Sequence, residues 1–208
     1  MTTTLTKPPK SARKAKGDGH LRRAEILHAA ERIFVRDGYQ GATIRKIAEE
    51  VGVSSTALYM HFRDKDEILL EICEGAIATL LASNNEISSR PIDAVSRVRL
   101  MLDAYMRFGL ENPNAYRLVF CTARQSELSE VSADLGAQCY DRFMSVVAEI
   151  AAEGRLRLGD ANAAARTLWA AAHGLVALTI NQKARDAADE DAQIALMLDS
   201  LFQGLVID

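Results

Sequence analysis

Between residues 21 and 82, apolar side chains return every third and fourth position in four separate runs, each closed by a residue that stops a helix. Ile26, Leu27, Ala30, Ile33 and Phe34 form one face from about Leu21 to Arg36, ended by Asp37-Gly38. Ile44, Ile47, Ala48 and Val51 form the next, ended by Gly52, a residue free to take the positive φ of a helix C-terminus. Val53 fills the corner. Ser54 is placed to cap a third helix whose inward face is Leu58 and Phe62, leaving Ser55, Thr56, Ala57, Tyr59, Met60 and His61 on the other side. Asp64, with Glu67 three residues on, has the spacing of a capping box. Ile68, Leu69, Ile72, Ala76, Ile77, Leu80 and Leu81 then sustain a fourth helix to about Ala82.

The remainder has the same period. A polar loop is predicted over Asn84 to Arg90, with Pro91 opening a fifth helix that carries Val95, Val98, Met101, Leu102, Tyr105 and Phe108 to Glu111. A sixth helix is predicted over Pro113 to Thr122, a seventh over Ser129 to Ala152, an eighth over Ala161 to Ala184 and a ninth over Glu190 to Leu205. No stretch alternates with period two for long enough to make a strand. The pattern predicts an all-α chain of about nine helices. It divides into a basic flexible arm over 1–20, a three-helix head over 21–66 and a helical body over 67–208, with the fourth helix as the link between head and body.

Charge sharpens that division. The net charge of −3 hides twelve Lys/Arg against six Asp/Glu in residues 1–63, or +6, and thirteen against twenty-two in residues 64–208, or −9. A polyanion therefore suits the first part and not the second. Cys73, Cys121 and Cys139 are far apart, odd in number and set in apolar helical patterns, which fits small buried side chains in a reducing compartment rather than disulfides or a metal site. The start of the chain is polar and basic without the apolar segment of a signal peptide. The longest uncharged run, Thr167 to Gln182, is 16 residues and too short to span a bilayer. A cytoplasmic protein with no membrane contact and no cofactor is expected.

Two short helices joined through a glycine turn are the arrangement of a helix-turn-helix, whose second helix enters the major groove. The residues themselves carry a resemblance. Phe34 before Gly38-Tyr39, Thr43, Ile47-Ala48, Gly52-Val53-Ser54, Leu58-Tyr59, His61-Phe62 and Lys65, in this order and spacing, are similar to the DNA-binding domain of the tetracycline-repressor (TetR) family of bacterial regulators over about Ile26 to Ile72. Trp169, His173 and Gly174, preceded by Asn112-Pro113, Tyr116 and Phe120, resemble the Trp-His-Gly type of ligand domain within that family.

The resemblance implies a homodimeric repressor with its heads in successive major grooves of a near-palindromic operator, released when a small molecule binds the C-terminal domain. Transferred to matching positions, Ser55, Thr56 and Ala57 open the reading helix and face base edges, with the capping Ser54 also among the DNA-binding residues, and Arg45 reaches a guanine. Tyr59, His61 and Lys65 hold phosphates, helped by Thr43. The chemistry agrees: Arg grips guanine O6/N7 with two hydrogen bonds, Ser and Thr bond ambiguously, and phosphate contacts give affinity with little discrimination. Structural roles compete at three positions. Arg45 is four residues from Glu49, His61 adjoins Phe62, and Tyr59 can serve as a core aromatic.

For the body, the candidate pocket residues are Met101, Tyr105, Phe108, Phe120, Cys139, Phe143, Trp169 and His173, a set without a charged group, which points to a neutral, largely apolar effector. The alanines of the eighth helix and the stripe of Ile194, Met197, Leu198, Leu201, Phe202 and Leu205 on the ninth predict a four-helix seam between two copies. Enzymatic signatures are absent: there is no Gly-x-Ser-x-Gly, no His-Glu-x-x-His and no paired Cys motif. The rival to a DNA-binding regulator is a helical interaction or lipid-carrier protein with a basic head.

Overall fold

Capping side chains and left-handed glycines set the helix ends in the head. The computed structural model describes residues 19–122, 130–157, 159–182 and 186–207. The basic arm expected over 1–20 thus falls almost entirely outside the described residues. Helix α1 (Gly19–Gly41) is broken at Gly38, whose φ of 70° and ψ of 166° turn the chain before a last helical turn. For α2 (Ile44–Val51), Thr43 Oγ1 accepts the Lys46 N–H at 3.2 Å. Gly52, at φ 74°, ends it, with Val53 N–H returning to the Ala48 carbonyl. Ser54 Oγ accepts the Ala57 N–H at 3.1 Å to open α3 (Ser55–Tyr59). Asp64 accepts the Glu67 N–H at 2.9 Å to open α4 (Lys65–Ser88), while the Glu67 carboxylate accepts the Arg63 N–H at 2.7 Å. The capping box is therefore closed one residue further upstream than its usual form.

Several boundaries differ from expectation. The predicted loop over Asn84 to Arg90 is helical as far as Ser88. Ile87 is buried in the body core and the Asn84 side chain bonds the Cys139 carbonyl, so tertiary contacts override the polar local sequence. Helix α5 (Ala94–Glu111) starts three residues after Pro91, because Asp93 accepts the Ser96 N–H at 3.1 Å and so fixes the N-cap. Next come α6 (Pro113–Tyr116) and a π-helical turn over Arg117–Thr122, in place of the single helix predicted there. The fold is completed by α7 (Glu130–Ala152), α8 (Ala161–Thr179) and α9 (Ala187–Leu205). Helix α8 stops short of the predicted Ala184, and residues 183–185 lie outside the described residues. Among the described residues there are nine α-helices, and the nearest thing to a strand is one antiparallel bridge between Leu156 and Val206. None of the described helices is long and apolar enough to cross a membrane.

The apolar faces gather into two cores. One holds Ile26, Ile33 and Phe34 of α1, Ile47 and Ala48 of α2, Leu58 and Phe62, the first half of α4, and then Ala115, Leu118 and Val119. The other is built from α5, α7, α8 and α9, with Met106, Tyr116, Val147, Ala165 and Val176 fully buried. The segment Ala115–Phe120 touches both, as Phe120 packs against each core. Close approach is required where α5 meets α8 and α6. A β-carbon at Gly109 would lie 2.5 Å from Val176 Cγ1 and 2.8 Å from Tyr116 Cδ2.

Candidate nucleic-acid interface and internal cavity

Helix α3 is held from behind and open in front. Leu58 and Phe62 are buried, while Thr56 and Ala57 are exposed, Tyr59 keeps 55% of its surface accessible and Met60 83%. Ser55 is half-buried at the edge. Tyr59 is thus not a core aromatic, and the exposed row Thr56, Ala57, Tyr59, Met60 forms a protruding edge short enough to enter a groove. Met60 carries the largest exposed apolar surface of that edge. Periodicity put it on this face, but its chemistry gave no reason to single it out.

The cations around this edge are unequally available. Arg45 stands out from α2 with 83% of its side chain exposed, bonded at 2.8 Å to Glu49, the helical pair anticipated above. Such an exposed pair is worth about 0.3–0.5 kcal/mol, so a stronger acceptor can replace it. Lys46 is engaged internally with Asp37 at 2.6 Å and the Gly41 carbonyl at 2.8 Å. Arg36 and Lys46 together hold the Asp37 carboxyl far below the usual carboxylate range. Lys65 Nζ donates to the Tyr39 carbonyl at 2.8 Å and the Ala42 carbonyl at 3.3 Å, and lies 4.1 Å from the Tyr39 ring centre. Two of its three N–H groups therefore fasten α4 to the end of α1, leaving one for an outside acceptor. His61 is half-buried, and its backbone carbonyl accepts from the Arg23 guanidinium, which also pairs with Glu71 and stacks 4.0 Å over Phe62. Arg63, 82% exposed and paired only with its neighbour Asp64, stands beside the same edge. Sequence reading passed over it because no motif position marks it.

Within the body lies a cavity of about 360 Å³. Its wall is Ile77, Leu80 and Asn84 of α4, Met101, Leu102 and Tyr105 of α5, Phe120 of the π-helical turn, Gly136, Cys139, Tyr140 and Phe143 of α7, and Trp169 of α8. Six of the eight expected residues meet there: Met101, Tyr105, Phe120, Cys139, Phe143 and Trp169. Phe108 instead packs on the core of the head. His173 sits one step behind the wall, its Nδ1 2.6 Å from the Tyr116 hydroxyl and 3.1 Å from that of Tyr105. Burial pushes its pKa down, which favours the neutral ring in this cluster. Trp169 and Phe120 lie against His173 at 5.6 and 5.7 Å between ring centres.

Tyr140 and Asn84 were missed as wall residues. Gly136, Tyr140 and Phe143 fall at i, i+4, i+7 on one face of α7, a signal that was present, whereas Asn84 was hidden by the early end given to α4. The Cys139 thiol, raised to about 11 by burial, is un-ionised at neutral pH, and its sulfur accepts from Asn84 Nδ2 at 3.4 Å. Among the described residues no cluster of His, Cys, Asp and Glu could hold a metal ion.

A second surface feature lies between α8 and α9. Leu178 and Leu196 are 73% and 67% exposed and flank a shallow apolar groove with Gly174, Leu175 and Met197. Half of the predicted α9 stripe, Ile194, Leu198 and Phe202, is buried in the chain's own core, as are Ala164, Ala165 and Ala172 of α8, while Met197, Leu201 and Leu205 pack against it partly buried.

Residues 26–72 match the family described as bacterial regulatory proteins, tetR family, and residues 98–201 match the tetracyclin repressor-like C-terminal domain. The chain is similar to nucleoid occlusion factor SlmA of Vibrio cholerae serotype O1, 32% identical over 139 residues that cover 66% of this chain and 70% of that protein. The factor of the same name from Alteromonas mediterranea is 31% identical over 138 residues, covering 66% and 70%. Among solved structures, the ketosteroid transcriptional regulator KstR2 of Mycobacterium tuberculosis superposes with a TM-score of 0.76 at 22% identity, over 90% of this chain and 96% of that one. The TetR family transcriptional regulator PfmR from Thermus thermophilus gives 0.71 at 24% identity, over 84% and 97%. These two superpositions establish the shared fold.

Proposed function

Since this chain belongs to the tetR family of bacterial regulatory proteins, we propose that it works as a homodimeric repressor released from a near-palindromic operator when a small, largely apolar molecule fills the body cavity. It is a DNA-binding transcriptional regulator with a helix-turn-helix head. The observation that carries the proposal is the exposed row Thr56, Ala57, Tyr59 and Met60, held outward by the buried pair Leu58 and Phe62. In this reading residues 21–66 form the DNA-binding unit and 67–208 the ligand-binding and dimerisation unit. Ser55, Thr56 and Ala57 meet base edges with the capping Ser54 beside them at the interface, Arg45 leaves Glu49 for a guanine, and Thr43, Tyr59, His61 and Lys65 contact phosphates.

The cavity supports the effector part, and its ring contacts with Phe120 and His173 favour the Trp-His-Gly type of ligand domain. The exposed pair Leu178 and Leu196 supports a two-fold seam through α8 and α9, a face on which each helix meets its own copy. That seam is narrower than the full α9 stripe. The test is titration of duplex from the region upstream of the protein's own gene, at two salt concentrations, against competitor DNA. Specific binding that weakens steeply with salt is expected, with a stoichiometry of two chains per site. Equal binding to competitor overturns the proposal.

A second reading is favoured by the likeness to proteins named nucleoid occlusion factors. Chromosome-wide mapping separates the two. Binding confined to a few promoter regions supports a regulator, and binding at many dispersed sites supports occlusion.

A further inference from the structure

Tyr140 projects from α7 into the wall of the cavity, its ring meeting Trp169 edge-on at 6.3 Å. Its hydroxyl oxygen is buried and has no hydrogen-bond partner among the described residues. A phenol in this condition is out of keeping with folded interiors, where buried polar groups are satisfied. Two neighbouring polar groups already have partners. Asn84 Nδ2 donates to the Cys139 carbonyl at 3.2 Å, and the Tyr105 hydroxyl belongs to the cluster with His173 and Tyr116. Among the described residues, no charged side chain lines the cavity.

We propose that this cavity selects its ligand by a neutral oxygen: an apolar skeleton bearing one carbonyl or hydroxyl group, which bonds the Tyr140 hydroxyl. The inference rests on reading the cavity as the ligand site of the regulator, and it names what that ligand must carry. Three alternatives are separated by their chemistry. A pure hydrocarbon fills the space but leaves the phenol unpaired. A carboxylate or an ammonium loses its hydration with no counter-charge among the described wall residues. A ketone, ester or alcohol gives up little hydration and satisfies Tyr140, which both donates and accepts. At the packing density of protein interiors, the cavity holds about ten to fifteen non-hydrogen atoms.

The experiment uses the full chain and three probes with one phenylalkyl skeleton: valerophenone, pentylbenzene and 5-phenylpentanoate. Trp169 is the sole tryptophan and stands in the cavity wall, so its emission reports occupancy directly. Valerophenone is expected to bind about tenfold more tightly than either of the other two. In Tyr140→Phe the preference over pentylbenzene falls to about twofold or less, while pentylbenzene binds as before. Gly136→Leu, at a wall position where an added Cβ meets nothing within 4 Å, keeps the fold and blocks valerophenone. The proposal is overturned by any of four results: an unchanged ketone preference in Tyr140→Phe, tightest binding of 5-phenylpentanoate, undiminished binding in Gly136→Leu, or no saturable change with any probe. The regulatory reading fails separately. Valerophenone bound with the expected preference but without effect on operator affinity leaves this inference standing and removes the effector role.

Discussion

The Tyr116 hydroxyl stands 2.6 Å from Nδ1 of His173, so that α6, which packs on α1 and α4 of the head, is bonded to α8, which walls the cavity. Burial of this cluster disfavours the charged imidazolium, so the folded chain holds the His173 ring neutral more readily than the unfolded chain does.

This gives stability a pH dependence of known sign. Burial lowers the His173 pKa below its ordinary value of 6.5, so around and below that pH the unfolded chain binds more protons than the folded one. The contribution is fully present above pH 6.5 and is lost as pH falls toward the depressed folded value. Thermal unfolding at pH 7.5 and 5.5 is expected to show a larger fall in Tm for the natural chain than for His173→Gln. Equal falls would assign the acid sensitivity to other groups.

Gly109 is set by space, not by backbone conformation. Its missing side chain lets α5 approach Val176 and Tyr116, both fully buried, and a methyl group would have to push between them. Gly109→Ala is expected to destabilise the fold by about 1–3 kcal/mol, against the small gain that alanine normally brings to a helix. Urea unfolding measures it, and a neutral or stabilising change would mean that α5 and α8 separate freely.

The head was legible because its determinants are local. Thr43, Gly52, Ser54 and Asp64 each fix a helix end through atoms within five residues, and Leu58 and Phe62 sit where a 3.6-residue period puts them. The body was legible in its apolar stripes and in six of the cavity residues. Its misread features depend on distant partners. Helix α4 extends over Asn84 to Ser88 because Ile87 and Asn84 find α5 and α7. The π-helical turn after Tyr116 has no local signature, since its residues divide between two cores. Phe108 has helical spacing indistinguishable from that of Tyr105 or Met101, and only the path of α1 and α4 decides that it faces the head.

At the reading edge, Arg45 and Tyr59 are expected to fail differently. Arg45→Ala breaks only an exposed helical pair, so the fold is retained. Operator discrimination at one base position should relax by about 1–3 kcal/mol. Tyr59→Phe removes a hydroxyl from an exposed ring and weakens binding to all sequences alike. Competition between operator and single-base variants checks both. Uniform weakening by Arg45→Ala would make it a phosphate contact, and a changed preferred base in Tyr59→Phe would make that tyrosine a base reader.

Phe120 gives the sharpest test of how cavity and head communicate. It stands in the cavity wall, 4.8 Å from the Tyr116 ring, within the π-helical turn whose neighbours Leu118 and Val119 are buried in the head core. Arg117 fastens the same turn to the α8 C-terminus through the Ile180 carbonyl. A molecule in the cavity meets this ring, and the residues beside it in the turn are packed into the other core. Coupling of this kind is typically about 1–3 kcal/mol, or about 5- to 150-fold in operator affinity. Phe120→Leu keeps an apolar side chain but removes the ring contact with Tyr116. It is expected to bind a cavity probe and to bind operator in its absence, while the ligand-induced change in operator affinity shrinks to about twofold or less. Operator titrations with and without saturating probe measure it. Undiminished coupling in Phe120→Leu would shift the transmission to α4, which contributes buried residues to both cores.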